Sequence, residues 1–122
     1  MEVNSLGASA PLLFEAWAAG IIESEGTITF TNIKNRKLSK RCSISVMMTD
    51  KDTIDKLFDI LKVGTVRGPY IYKNKPLWTW AVQNQKGCFD TLLKIMPYLG
   101  KRRLEKASEM FEFLEGKINK WI

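Results

Sequence analysis

Trp17-Ala18-Ala19-Gly20-Ile21-Ile22-Glu23-Ser24-Glu25-Gly26 joins two features that decide how the rest of the chain is read. Ala16, Gly20 and Ser24 recur every four residues, so on a helix they form one stripe of very small side chains. Such a stripe lets a second helix backbone approach closely. Glu23 and Glu25 stand where the helix must stop, because Gly26 follows. The carbonyl end of a helix is partly negative, so a carboxylate there favours a hard, oxygen-bound cation. The stretch predicts a helix that pairs with another helix and holds a metal at its tip.

Around it lie 122 residues, 45% of them hydrophobic, a composition that fits one soluble domain with its own core. Residues 1–10 are small and polar and read as a flexible lead-in; 11–122 read as the domain. No basic, apolar leader and no membrane-length run is present in the sequence, so neither secretion nor a membrane role is expected. Cys42 and Cys88 sit in apolar contexts and read as buried thiols of a reducing compartment, the cytoplasm or an organelle matrix. The net charge of +6 points to an anionic partner, with nucleic acid ahead of a membrane surface, although solubility alone accommodates it. The chain has no histidine, which excludes imidazole bases, histidine triads and histidine zinc sites. Catalysis, if any, must use carboxylates, lysines, water and a hard metal.

In chain order, a first helix is predicted from Pro11, a favoured opening position, to about Ser24, with Leu13, Phe14, Trp17 and Ile21 as its inward stripe. Thr27–Thr31 and Cys42–Met48 alternate as half-buried strands do, joined by a basic connection that carries Lys34, Arg36, Lys37, Lys40 and Arg41. Thr49-Asp50-Lys51-Asp52 reads as a capping box opening a second helix, with Ile54, Leu57, Phe58 and Leu61 inward and Gly64 ending it. Thr65–Tyr72 and Pro76–Gln83 form a second hairpin around Lys73-Asn74-Lys75, with Trp78, Trp80 and Val82 as core. A third helix starts near Asn84, buries Phe89, Leu92, Leu93 and Met96, and breaks at Pro97. A last helix follows Lys101-Arg102-Arg103, with Leu104, Ala107, Phe111 and Leu114 inward. The order αββαββα(α) predicts an α+β fold in which a four-stranded antiparallel sheet carries helices on one face.

The other face of that sheet would be open. Its residues are Thr27, Thr29 and Thr31, then Ser43 and Ser45, then Thr65 and Arg67, and Thr79 and Gln83. Basic hairpin tips flank them, the second carrying Lys73 and Lys75. Short hydroxyls between cationic tips suit a saddle on duplex DNA, where a β-ribbon reads base edges in the major groove. A solvated surface explains the threonines equally well and the clustering of the cations less well.

Trp17 to Gly26 resembles the signature decapeptide of the LAGLIDADG homing endonucleases, and the likeness extends through the element order, the Thr-Asp-Lys-Asp after the second strand and Pro97-Tyr98-Leu99 before basic residues. The resemblance implies a site-specific endonuclease that hydrolyses double-stranded DNA with Mg²⁺ or another divalent metal such as Mn²⁺, and uses no small-molecule cofactor. One motif per chain implies a homodimer on a palindromic or near-palindromic target. Pairing would run through Ala16, Gly20 and Ser24, with Ala19 and Glu23 beside them. Glu25 falls on the family's metal-binding acid, the Ser24 carbonyl would be a second metal ligand, and Glu23 falls on the more structural acid. Glutamate at both places departs from the eponymous pattern by one methylene and leaves the metal geometry open. Asp50 falls where the family positions solvent, but it reads as a helix cap and is preferred as one. The cation that steadies the transition state falls on Lys101 or its neighbour Arg102. A relative without cleavage, an RNA maturase or transcription regulator, is the alternative; retention of Glu25 favours the enzyme.

Overall fold

Alternating polarity does produce strands in this chain, and they run further than the pattern marks. The computed structural model describes residues 3–33 and 36–121, with side chains described over 12–33 and 39–121. Helix α1 (Val3–Glu25) leads into strand β1 (Gly26–Ile33) and strand β2 (Arg36–Met48). Helix α2 (Lys51–Leu61), strands β3 (Thr65–Tyr72) and β4 (Lys75–Val82), helix α3 (Gln85–Ile95), a 3-10 turn (Met96–Tyr98) and helix α4 (Lys101–Glu115) follow. A short 3-10 segment, Ile118–Trp121, ends the described chain. The sheet order is β1-β2-β4-β3 and every pairing is antiparallel, so β2 and β4 join two hairpins in the middle.

Register explains the two faces. Gly26, Val46, Trp80 and Val66 form one row across four strands, and Ile28, Ile44 and Val82 form the next inward row. Ile44, Val46, Trp80 and Val82 are buried, and all four helices cover this side: α1 and α3 touch β2, α2 touches β4, and α4 touches β1. Trp80 is fully buried and donates its Nε1–H to the Val63 carbonyl at 2.8 Å, which satisfies the one polar atom that its burial would strand. Between the inward rows, Thr27, Ser45, Ala81 and Thr65 make an outward row that no helix covers.

The structure corrects several local expectations. Helix α1 begins at Val3, not Pro11: Leu6, Ala8 and Ala10 favour helix, and Pro11 removes a single donor. Leu13 and Phe14 are not inward; with Leu12 they are 52–56% exposed, while Ala18, Ala19 and Ile22 carry the buried face. The cap of α2 is Asp50, one residue after Thr49, and its carboxylate accepts from the Asp52 amide at 3.1 Å and the Thr53 hydroxyl at 2.6 Å. The helix ends at Lys62, left-handed at φ 64°, two residues before Gly64. In α3, Cys88, Leu92 and Ile95 set the buried stripe, which turns Leu93 outward. Asn84 caps that helix by accepting from the Gly87 amide. Among the described residues no helix is long and apolar enough to cross a membrane.

Both cysteines are free and buried. Burial pushes the Cys88 thiol up to about 12, and the neighbouring Cys42 adds to the rise. A thiol this hard to ionise is a poor nucleophile, so iodoacetamide at about pH 8 should label neither cysteine of the native protein within the time that labels both in denaturant. The raised value means that Cys88 contributes stability below the ordinary thiol range and loses it as pH climbs from about 9 toward about 12. Rapid native labelling of Cys88 would contradict its burial.

Candidate active site and nucleic-acid interface

The corner between α1 and β1 is where carboxylate and sheet face meet. A Cβ on Gly26 would lie 2.7 Å from the Ile22 carbonyl oxygen and 2.9 Å from the Ile22 Cα, both backbone, so only glycine lets the helix turn directly into the strand. That turn leaves Glu25 exposed at the carbonyl end of α1, one residue before the sheet, and it makes no hydrogen bond or ion pair with the described residues. Ser24 is also exposed, and its hydroxyl donates to the Gly20 and Ile21 carbonyls.

Glu23 does different work. Its carboxylate accepts from the Gly100 amide at 2.8 Å, while Arg103 Nε donates to the Glu23 carbonyl at 2.8 Å and stands 4.0 Å from the carboxylate. These contacts bind the last turn of α1 to the first turn of α4. They also place Lys101 and Arg102, both exposed, beside the tip of α1. Three cations in the first turn of α4 oppose the positive end of that helix, and the first turn holds no acid. Glu23 offsets part of this; an approaching phosphate would offset the rest. Arg103, which the sequence left inside an undifferentiated basic triplet, is the structural member of it. Glu23→Ala should lower stability by about 1.5–3 kcal/mol, as for a hydrogen bond to a charged group, and Glu23→Gln by about 0.5–1.5 kcal/mol because the amide oxygen still accepts. Equal losses in urea titrations would argue against the Gly100 contact as its source.

Along α1, Ala16, Gly20 and Ser24 do form an accessible stripe, and Leu13 extends it toward the N-terminus. A Cβ built on Gly20 meets nothing within 4 Å. Ala19, beside the stripe on the core-facing flank, is fully buried in the chain's own core, so it is not available to a partner. Asp50, at the end of β2, has both carboxylate oxygens engaged in the cap of α2; the Thr53 hydroxyl, above all, holds its carboxyl below the usual carboxylate range.

The outward sheet face keeps most of its predicted members. Thr27 pairs with Ser45, Thr29 with Ser43 and Thr31 with Arg41, a ladder of short hydroxyls ending in a guanidinium. Met47, Thr79 and Arg67 form the row on the other side of Ala81. Two open grooves of about 660 and 670 Å³ lie along this face, one beside Arg67, Thr65 and Tyr70, the other beside Thr29, Ser43 and Arg41, and Gln83 lines both. Two assignments change. Lys40 falls on the inward alternation: its ammonium donates to the Asn32 side chain and lies 5.3 Å from the ring centroid of Phe30. The Thr79 hydroxyl is buried without a partner and does not reach the surface. Lys34 lies outside the described residues, and Arg36 and Lys37 are placed in β2 by backbone alone. Lys73 and Lys75 are exposed at the second hairpin tip.

Sequence reasoning missed Tyr70 and Tyr72. A register shift between Arg67 and Tyr70 puts Tyr70 opposite Leu77 and Tyr72 opposite Lys75, on the outward face with Arg67. The tyrosines are 50% and 60% exposed. Simple alternation through β3 would set Tyr70 and Tyr72 on the face away from Arg67, so only the bulge reveals them.

A single chain offers oxygen donors for a hard cation at Glu25 and the carbonyls of the α1 end, and among the described residues no three of His, Cys, Asp and Glu converge. The donor chemistry fits Mg²⁺, but one chain supplies only part of a coordination shell.

No protein-family model matches the chain. Over 106 residues it is 29% identical to the intron-encoded DNA endonuclease aI3 of Saccharomyces cerevisiae, which covers 84% of the chain and 25% of that protein. The chain thus spans about a quarter of the length of that relative. Among solved structures, the homing endonuclease I-CvuI in complex with DNA matches with a TM-score of 0.70 at 24% identity, over 88% of this chain and 69% of that one. The LAGLIDADG homing endonuclease I-LtrWI, bound to target DNA, matches with a TM-score of 0.64 at 18% identity, over 87% of this chain and 37% of that one. The chain has the LAGLIDADG homing-endonuclease fold.

Proposed function

We propose that this chain is one protomer of a homodimeric DNA endonuclease that cuts a palindromic or near-palindromic duplex with a divalent metal. The observation that carries the reading is the pairing of an unshielded Glu25 at the end of α1 with a bare small-residue stripe on the same helix. Joining two α1 helices along Gly20 and Ser24 brings two Glu25 carboxylates together and completes what one chain leaves partial. The likeness to an intron-encoded DNA endonuclease, and to homing endonucleases solved on DNA, supports the same reading.

In this mechanism Glu25 and the Ser24 carbonyl would hold the metal. A divalent cation there, such as Mg²⁺, would supply an activated water and charge neutralisation at the scissile phosphate. Lys101 and Arg102 face the phosphate as it gains charge, with Lys101 the nearer to the Glu23–Gly100 clamp in sequence. Arg103 and Glu23 hold those cations in place. Asp50 serves by fixing the junction of β2 and α2, since its oxygens are committed to the cap. The hydroxyl ladder of β1 and β2, with Arg41, Arg67, Lys73 and Lys75, seats the duplex.

The test is incubation with Mg²⁺ and a plasmid library of candidate sites, followed by sequencing of the cut ends. Double-strand breaks at one recurring site are expected, together with binding that weakens steeply with salt. Tight, sequence-selective binding without breaks would instead establish a binding protein on the same fold, such as a regulator or maturase.

A further inference from the structure

The two ribbons of the outward face differ in chemistry. On β1 and β2 the outward side chains are short hydroxyls, which donate and accept and so suit any base edge. On β3 and β4 the middle of that face holds Tyr70, Leu77 and Tyr72, continued by Met47 across the β2–β4 pairing, with Arg67 beside them and Thr65 and Lys75 toward its two ends. Met47 is 51% exposed, Tyr70 50% and Tyr72 60%, while Ile44, Val46, Trp80 and Val82 on the opposite face are buried. The Thr79 hydroxyl in this strip is covered and unpartnered, so apart from the two phenol hydroxyls its middle presents ring, methylene and thioether carbon, where its neighbour presents short hydroxyls. The turn at Lys73 and Asn74, both at positive φ, holds the ribbon as a tight two-residue hairpin. The Lys73 ammonium lies 5.3 Å from the Tyr72 ring centroid, which steadies that ring and charges the tip.

A two-stranded ribbon fits the major groove, about 12 Å wide, and not the minor groove, about 6 Å wide. The only apolar group that unmodified bases present there is the thymine C5-methyl. Resting on the DNA-duplex reading above, we propose that the β3–β4 ribbon is a thymine-methyl reader, so that each half-site carries thymines beneath Tyr70, Leu77 and Met47 while β1–β2 contacts bases by hydrogen bonds. The target is then divided by chemistry along each half-site: methyl-bearing bases under one ribbon, no such requirement under the other.

The experiment begins with selection of bound sequences from a randomised duplex library, using the full chain in the presence of Ca²⁺. In the selected duplex each thymine is then exchanged singly for deoxyuridine, which removes the methyl and leaves every hydrogen-bonding group. A clustered set of exchanges in each half-site should weaken binding about fourfold per methyl, the value of one buried methyl group. Tyr70→Ser and Leu77→Ser should abolish the sensitivity of that cluster, whereas Tyr70→Phe should keep it, because the ring and not the hydroxyl makes the contact. Deoxyuridine exchanges without effect on the unmodified protein would overturn the proposal even where the serine variants fold poorly. Sensitivity that persists unchanged in both serine variants would overturn it as well, as an effect of DNA shape. If selection enriches no sequence, the DNA-duplex reading itself fails, which is a separate result.

Discussion

Glu25→Gln should reduce cleavage at least about a thousandfold while leaving the fold and the DNA affinity in place. The side chain is exposed and bonds to none of the described residues, so the amide, nearly the same size, disturbs no packing. What it removes is the negative charge that would hold a cation. A metal contributes several kcal/mol to stabilising the developing phosphate charge, and each 1.4 kcal/mol is about tenfold in rate. Affinity should hold or rise slightly, because the change deletes one repulsive charge beside a polyanion. The informative measurement is therefore a pair: initial cutting rate in Mg²⁺ and equilibrium binding in its absence. A fully active variant would remove Glu25 from the metal site. Loss of both activity and binding, with an unchanged melting curve, would assign it to DNA contact instead.

Gly20→Leu should convert the proposed dimer to monomer without unfolding the chain. Most glycine-to-leucine changes cannot separate those two outcomes, and this one can. A Cβ at Gly20 meets nothing within 4 Å in the single chain, and leucine is the better helix former by roughly 1 kcal/mol. The monomer should then melt no lower than the parent's dissociated chain. At a helix-pairing face the same side chain holds the backbones apart. Overpacking costs about 1–3 kcal/mol per site and occurs once in each protomer, so association should weaken by roughly 30-fold to 10⁴-fold. Sedimentation velocity reads this directly, and cutting should fall with it because the two Glu25 carboxylates no longer meet. Unchanged sedimentation would exclude α1 as the pairing element. Ala19→Leu is the contrasting variant: Ala19 is fully buried in the core, so enlarging it should destabilise the chain itself.

The order of helices and strands was legible because its signals are local and repeated. Two-residue alternation through Ile28, Ile44 and Val82 marks strands, and Ile54, Leu57 and Leu61 mark a helix. A helix start near Asn84 and a hairpin connection around Lys73-Asn74-Lys75 were legible for the same reason, each being a short-range solution to a backbone problem. The motif stretch was legible because glycine and alanine at a spacing of four have few other uses, and Glu25 stands beside a glycine that the turn requires.

Other assignments depended on information that no short stretch contains. Thr49 and Asp50 both qualify as a cap, and the direction in which β2 hands the chain to α2 selects Asp50. Lys40 belongs to a basic run, but pleat alternation through a strand longer than its polar pattern shows turns it over Phe30, away from the open face. Arg103 and Glu23 are eighty residues apart and meet only because α4 returns to the end of α1. Tyr70 and Tyr72 reach the outward face through a bulge that shifts parity, and parity is what alternation assumes.

By itself, then, the sequence determined the element order, the inward rows of the sheet and the helix whose tip carries Glu25, since periodicity and backbone freedom are properties of neighbours along the chain. The tertiary structure alone decided which face Lys40, Tyr70 and Tyr72 serve, that Ala19 is core while Gly20 is open, and that α4 is bound to the tip of α1. Those are properties of neighbours in space, fixed by register, parity and chain return, and they are what turns a metal-holding residue into a site.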